Sequence, residues 1–326
     1  MRTETYGANY VYYDADTVMK KGYPKIKKLG ACSPNGEMTP FVWKERLYRL
    51  ELVDPSKGWR KDEAKAAIRD VETGEFLSYV AEDSYFHSAF IDGDVAYVTG
   101  VDKNRPDTIR IYESSDLINW SSRDLFTNPG WAYCNTQITK GHDGYTIIIE
   151  SGPDAYPDLP DEAYPKKYVG KKGWTMFFAK SPDLKNWEFM DYEKPFSRDE
   201  GTGGPALKYC DGWYYLLADC VLPRKIFTNY MYRTRDFETW YVGYYNPIIM
   251  PSDEDRKISP NYKDITEEER ERLKTAFNVN NTDLDLCEWQ GKTYINYLCG
   301  NQLGNYWMCE AICDMPLADF FKSYFE

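Results

Sequence analysis

Short apolar runs recur along the chain in pairs, each pair joined by a turn rich in Gly, Asp or charge. Five pairs are legible: MTPFVWKERLYRLE from Met38, HSAFIDGDVAYVTG from His87, NTQITKGHDGYTIIIE from Asn135, GGPALKYCDGWYYLLAD from Gly203 and DLDLCEWQGKTYINYL from Asp283. The second run of each is rich in β-branched and aromatic residues, so the pattern predicts five antiparallel hairpins. A heptad follows three of them: SSDLINW at 114–120, SPDLKNW at 181–187 and TRDFETW at 234–240. In each, Ser or Thr and Asp fold back onto backbone amides of a tight turn, and Trp opens the next strand as an apolar anchor. Degenerate partners stand around Asp70 (RDVETGEF) and Asp314 (CDMPLADF).

Two hairpins per unit make four strands, and five such units predict an all-β, five-bladed β-propeller with four antiparallel strands per blade. Residues 1–326 are expected to form that single domain, with blades near 37–80, 86–126, 132–190, 202–243 and 280–316. Residues 1–36 form an N-terminal extension with a strand-like run at 9–13, and one terminus is expected to supply the strand that closes the ring. The longest insertion, 244–279, should hold a short helix with Thr266 as N-cap and Glu269 completing a capping box.

Loop lengths choose the working face. Turns inside each hairpin are short, whereas the connections on the other face are long and irregular, and long loops converging on an axis are where function gathers. Starts of the innermost strands place Glu37, His87, Asn135, Glu200 beside Gly203, Asp283 and Asp285 at that mouth; tops of the second strands add Glu51, Asp102, Glu150 and Asp219. His142 falls in a short turn on the opposite face.

Composition narrows the partners. The net charge of −12 argues against nucleic acid, which needs a basic face. Aromatic residues make up 17% of the chain, enough to fill wedges between blades and to line a sugar-binding wall, for which Trp59 and Trp131 are the expected residues. Eight Cys without any CxxC pair read as reduced and mostly buried. No apolar run approaches membrane length and the N-terminus lacks the apolar core of a signal peptide, so the chain as written reads as cytoplasmic; an exported protein already relieved of its signal would look the same.

The five-fold hairpin pattern, the S/T-x-D-φ-x-x-W turns and the segment DEGTGGPALKYCDGWYYLLAD at 199–219 resemble the five-bladed propeller glycoside hydrolases of families 43, 32, 62 and 117. The resemblance spans roughly 37–316 and implies a glycoside hydrolase; a pocket at a closed axis accepts a chain end more readily than a chain middle, so exo action on a terminal sugar of a plant or algal type oligosaccharide is expected. Family 43 carries a general-base Asp in blade 1, a tuning Asp further on and a general-acid Glu before a Gly-Tyr-Tyr-Leu strand. Here Gly203 stands where that Glu would be, Met38 with Glu37 beside it occupies the blade 1 position, and the tuning position falls near Asn135.

Glycoside hydrolysis needs one protonated and one ionised carboxyl group across the sugar. Glu200 is the candidate acid and Asp283 the candidate base, with Asp285 tuning it or holding a substrate hydroxyl. Glu37 competes for the base role, and His87 could replace Glu200 as acid or serve as ligand to a central ion such as Ca2+, although no cofactor is required. Asn135, Asp219 and Arg224 complete the expected substrate contacts. Two other readings stay open: a non-catalytic carbohydrate-binding propeller, and a glycoside phosphorylase using Arg60, Arg105 and Arg224.

Overall fold

The computed structural model describes residues 24–53, 65–151, 175–191, 195–196, 202–222, 226–301 and 305–326. Strand β1 (Ile26–Ser33) precedes the first hairpin. That hairpin, β2 (Gly36–Trp43) and β3 (Arg46–Val53), joins β4 (Lys65–Asp70) and β5 (Phe76–Val80) in an antiparallel sheet of order β2-β3-β4-β5. The second sheet holds β6 (Ser84–Asp92), β7 (Val95–Asp102), β8 (Thr108–Ser114) and β9 (Ser121–Thr127), and the third β10 (Tyr133–Gly141), β11 (Gly144–Ser151), β12 (Thr175–Ser181) and β13 (Glu188–Phe189).

The remaining strands are β14 (Thr202–Cys210), β15 (Trp213–Leu222), β16 (Ile226–Thr234), β17 (Tyr241–Val242), β18 (Asn280–Trp289), β19 (Lys292–Gly300) and β20 (Tyr306–Cys313). With β1 they form one eight-stranded sheet, divided by a single parallel pairing of Thr228 with Asn281 into β14-β15-β16-β17 and β18-β19-β20-β1. The first strands meet in cyclic order, β2 against β6, β6 against β10, β10 against β14, β14 against β18 and β18 against β2.

The core lies between these sheets. Phe41, Leu50, Val98 and Tyr112 fill the wedge between the first and second, Val101, Ile111, Ile138 and Ile149 that between the second and third, and Ile148, Phe178, Leu207 and Leu216 the next. The wedge between β14–β17 and β18–β20 is the largest, because helix α1 (Glu267–Thr275), helix α2 (Leu317–Ser323) and residues 248–262 pack into it through Leu273, Phe320, Phe321, Ile248 and Tyr262. Among the described residues no helix is long and apolar enough to cross a membrane.

The heptads fold as their chemistry predicts. Ser114 Oγ accepts from the amides of Asp116 and Leu117 at 3.2 and 2.9 Å, and Asp116 Oδ1 from those of Ile118 and Asn119 at 2.9 and 2.8 Å. Thr234 and Asp236 repeat that geometry. Leu117, Leu184 and Phe237 take left-handed φ values of 60, 63 and 61° and are buried, so apolar contact offsets a backbone conformation that side chains disfavour.

Three expectations change. The expected apolar anchors Trp120, Trp187 and Trp240 are only half-buried, since each caps the end of a wedge. Asp70, aligned above with the heptad Asp, is the last residue of β4, and its Oδ1 takes the Thr73 amide at 2.8 Å, the part that Ser or Thr plays elsewhere. After Asp314 the chain enters α2, and the fourth strand of that sheet is β1. The run at 9–13 lies outside the described residues. In the insertion, Thr266 caps α1 by accepting from the Glu269 amide at 3.2 Å, while the Glu269 carboxylate receives the Tyr262 hydroxyl, so half of the box forms.

Candidate active site

Every first strand is bulged near its start. The ladder slips between Gly36 and Met38, Tyr85 and Ser88, Tyr133 and Thr136, Gly203 and Ala206, and Thr282 and Asp285. At four of these bulges one residue is left-handed: Glu37 (φ 40°), Phe86 (56°), Gly204 (52°) and Asp283 (50°). A bulge re-aims a side chain that regular pleating would send elsewhere. The five strand starts thereby line one axial cleft, with Glu37, His87, Asn135, Gly204, Asp283 and Asp285 on its wall.

Charge sorts the carboxyl groups around this cleft. Glu51 is bound by Arg49 and by Arg69 at 3.3 Å; against the cost of burial, these two cations hold its carboxyl below the ordinary range. Asp102 pairs with Arg105 at 2.8 Å and caps the amides of Asn104 and Arg105. Among the described residues, no cation pairs with Glu37, Glu150, Asp219 or Asp283. Burial, then Asp283, then Glu150 push the Glu37 carboxyl well above its usual value, and neither of its oxygens has a hydrogen-bond partner among the described residues. Burial lifts Glu150 to about 8, against the pull of an Asn135 hydrogen bond and with Asp283 adding to the rise. Burial and then Asp283 raise Asp219 well above the usual range, and burial likewise raises Asp283.

Glycine makes room for this crowd. A Cβ at Gly203 would stand 2.7 Å from Glu150 Oε1, and one at Gly204 2.6 Å from Asp219 Oδ2 and 2.8 Å from Asp283 Oδ1. The Gly203 that replaces an expected Glu therefore leaves space that the carboxyl group of Glu150 fills from β11 of the preceding sheet.

The structure brings Glu37, His87, Asn135, Asp283 and Asp285 into the cleft and sets Asp219 behind it. His87 is not placed to donate a proton at neutral pH. Burial lowers it to about 4, and its Nε2 lies 3.1 Å from the Ala81 carbonyl, which fixes the neutral ring with Nδ1 as an acceptor. Asp285 is committed to Lys208 at 2.7 Å, Gln137 at 2.7 Å and the Leu286 amide, so it is neither free to tune Asp283 nor to hold a hydroxyl. Asn135 donates to Glu150 Oε2 at 2.9 Å. Trp131 is absent from the cleft wall: its ring packs edge-on against Phe177 at 4.8 Å and near Phe189, in the wedge between sheets. Arg105 is held by Asp102 and Asp124. Glu200, Trp59, Arg60 and Arg224 lie outside the described residues. Glu150, placed at the mouth from the sequence without a role, accepts the Gly204 amide at 3.3 Å and so holds the β14 bulge beside the cleft.

Among the described residues, one trio could ligate a metal, Asp255 with Cys299 and Cys309, buried away from the cleft. Lys28 Nζ sits 2.7 Å from Asp255 Oδ1, and Tyr297, Ser252 and Asn278 fill the remaining positions of that carboxylate.

No family model and no curated protein sequence matches the chain. Solved structures do. BT0996, solved in an RGII complex, aligns over 92% of this chain and 94% of its own length at 13% identity, TM-score 0.63. The fold is that of a β-propeller. A thermostable family-43 glycoside hydrolase aligns over 87% of this propeller and 90% of its own length at 14% identity, TM-score 0.57. The α-L-arabinofuranosidase PaAbf62A from Podospora anserina, in complex with cellotriose, covers 90% of this chain and 98% of its own length at 8% identity, TM-score 0.54. Such identities establish architecture.

Proposed function

We propose that this five-bladed propeller is a glycoside hydrolase acting on a terminal sugar, with Glu37 and Asp283 as its working pair. The observation that carries this reading is the cleft itself. The buried carboxyl group of Glu37 and the half-buried one of Asp283, from sheets that adjoin across the ring closure, face one axial space, and both oxygens of Glu37 lack a partner among the described residues. An unpartnered buried carboxyl group is costly and is retained where something uses it. Glu150 and Asp219, by contrast, accept backbone amides and serve the scaffold.

Four carboxyl groups in mutual reach cannot all ionise, so the first to lose its proton holds the others protonated. Asp283 is half-buried where Glu37 and Asp219 are buried, so its charged form is the best solvated and it takes the charge. Glu37 then keeps its proton and delivers it to the leaving oxygen, while Asp283 activates water or attacks the anomeric carbon. An axial cleft closed by strand starts receives a chain end more readily than a chain middle, which favours exo action. The sugars in the complexes of two structural neighbours support a carbohydrate ligand.

The test is turnover on a panel of 4-nitrophenyl glycosides and plant oligosaccharides, with and without inorganic phosphate. Phosphate-independent release by the wild type, reduced by orders of magnitude in Glu37→Gln and Asp283→Asn with Tm preserved, is expected. Saccharide binding without turnover would favour a binding module, and phosphate-dependent turnover a phosphorylase.

A further inference from the structure

Asp283 occupies a conformation that a side chain disfavours, and what holds it there is visible. At the bulge of β18 the ladder to β19 is interrupted between Thr282 and Asp285, leaving backbone groups that β19 does not pair. The neighbouring β15–β16 hairpin takes them up. The Asp283 amide donates to both oxygens of Asp219, at 3.2 and 3.3 Å; the Leu284 amide donates to Asn229 Oδ1 at 3.2 Å; and Asn229 Nδ2 donates to the Asn281 carbonyl at 2.6 Å.

The same device occurs one sheet earlier. The amide of Gly204, the left-handed residue of the β14 bulge, donates to Glu150 Oε2 at 3.3 Å. In both cases a carboxyl group at the top of one sheet's second strand grips the bulge of the next sheet's first strand. Asp219 cannot meet substrate in this arrangement: it does not line the cleft, its oxygens serve the Asp283 amide, and Gly204 packs against it.

We propose that Asp219 is a positioning residue, whose carboxyl group locks the Asp283 backbone into the left-handed bulge that aims the Asp283 side chain into the cleft. This rests on the reading of Asp283 as the charged catalytic group. Asp219 therefore acts on turnover through geometry, and substrate affinity is left to other side chains.

Three variants and one spectroscopic readout test it in the full-length chain. Asp219→Ala removes both acceptor oxygens, so kcat per folded molecule should fall about 100-fold, as for a misplacement of about an ångström, with KM nearly unchanged. Asp219→Asn keeps an acceptor oxygen in place and should recover most of that loss. Gly204→Ala leaves Asp219 intact but drives a methyl group between the two carboxyl groups, and should also lower kcat. Independently of activity, the Asp283 amide proton should resonate downfield in the wild type, move as Asp219 titrates, and lose both features in Asp219→Ala. Wild-type kcat or a pure KM effect in Asp219→Ala, with Asp283→Asn inactive, would overturn the proposal. Full activity in Asp283→Asn would instead remove the functional reading, and an unshifted amide resonance would then still remove the clamp.

Discussion

At the scale of single residues, the axial carboxyl groups couple chemistry to stability. A group raised on folding holds a proton that the unfolded chain has already lost, so stability falls as pH climbs from the unfolded value toward the folded one. For Glu150 that window runs from 4.5 to about 8. Tm should therefore decline between those values, and Glu150→Gln should flatten the slope; a thermal scan across pH measures both. Glu37, His87, Asn135 and Asp283 could be placed at the mouth from the sequence, because strand starts in a ring must converge. The bulges could not, since an inserted residue carries no composition of its own, and they separate Asp283 in the cleft from Asp285 in an ion pair. A usable signal did exist for the second strands. Arg49 two residues before Glu51 shares its face of the sheet and neutralises it, whereas Ile148 and Leu217 stand at that position before Glu150 and Asp219.

At the scale of elements, the heptad turn works as a joint between strand and wedge. In the heptads at 114–120 and 234–240 its Ser or Thr and Asp satisfy four amides, and its Trp closes the apolar layer that the buried left-handed residue begins. Trp240 touches Phe178 and Phe196 at 5.7 and 4.8 Å while remaining half-exposed. Trp240→Ala should therefore cost about 2–3 kcal/mol, short of the ~3–5 kcal/mol typical of an enclosed aromatic ring, read from the urea midpoint. The complete heptads were legible because every position is chemically restricted. The degenerate copies were harder: Asp can replace Ser as an acceptor, which moved Asp70 by two positions, and CDMPLADF has an equally good helical reading, since it leads into a helix whose Phe320 and Phe321 are buried.

At the scale of the molecule, β1 is fastened twice, to the last sheet by its ladder to β20 and to the 244–279 insertion by Lys28, which reaches the fully buried Asp255. Lys28→Met should strand that carboxylate and cost about 3–5 kcal/mol, and adding Asp255→Asn should recover part of the loss; equilibrium unfolding of both variants measures this. That an end of the chain would close the ring was legible from the hairpin count, whereas the use of 26–33 was not, because KKLGACS carries little of the alternation that marks a half-buried strand. The same pairing sets Ile26 opposite Cys313. At translation speeds of roughly 5–20 residues per second, the partner of β1 reaches the ribosome exit on the order of ten seconds to a minute after β1 itself. The earlier sheets can assemble hairpin by hairpin during synthesis. The final seam has to wait until β20 has been made, and until then the newborn protein presents β1 as a bare strand edge.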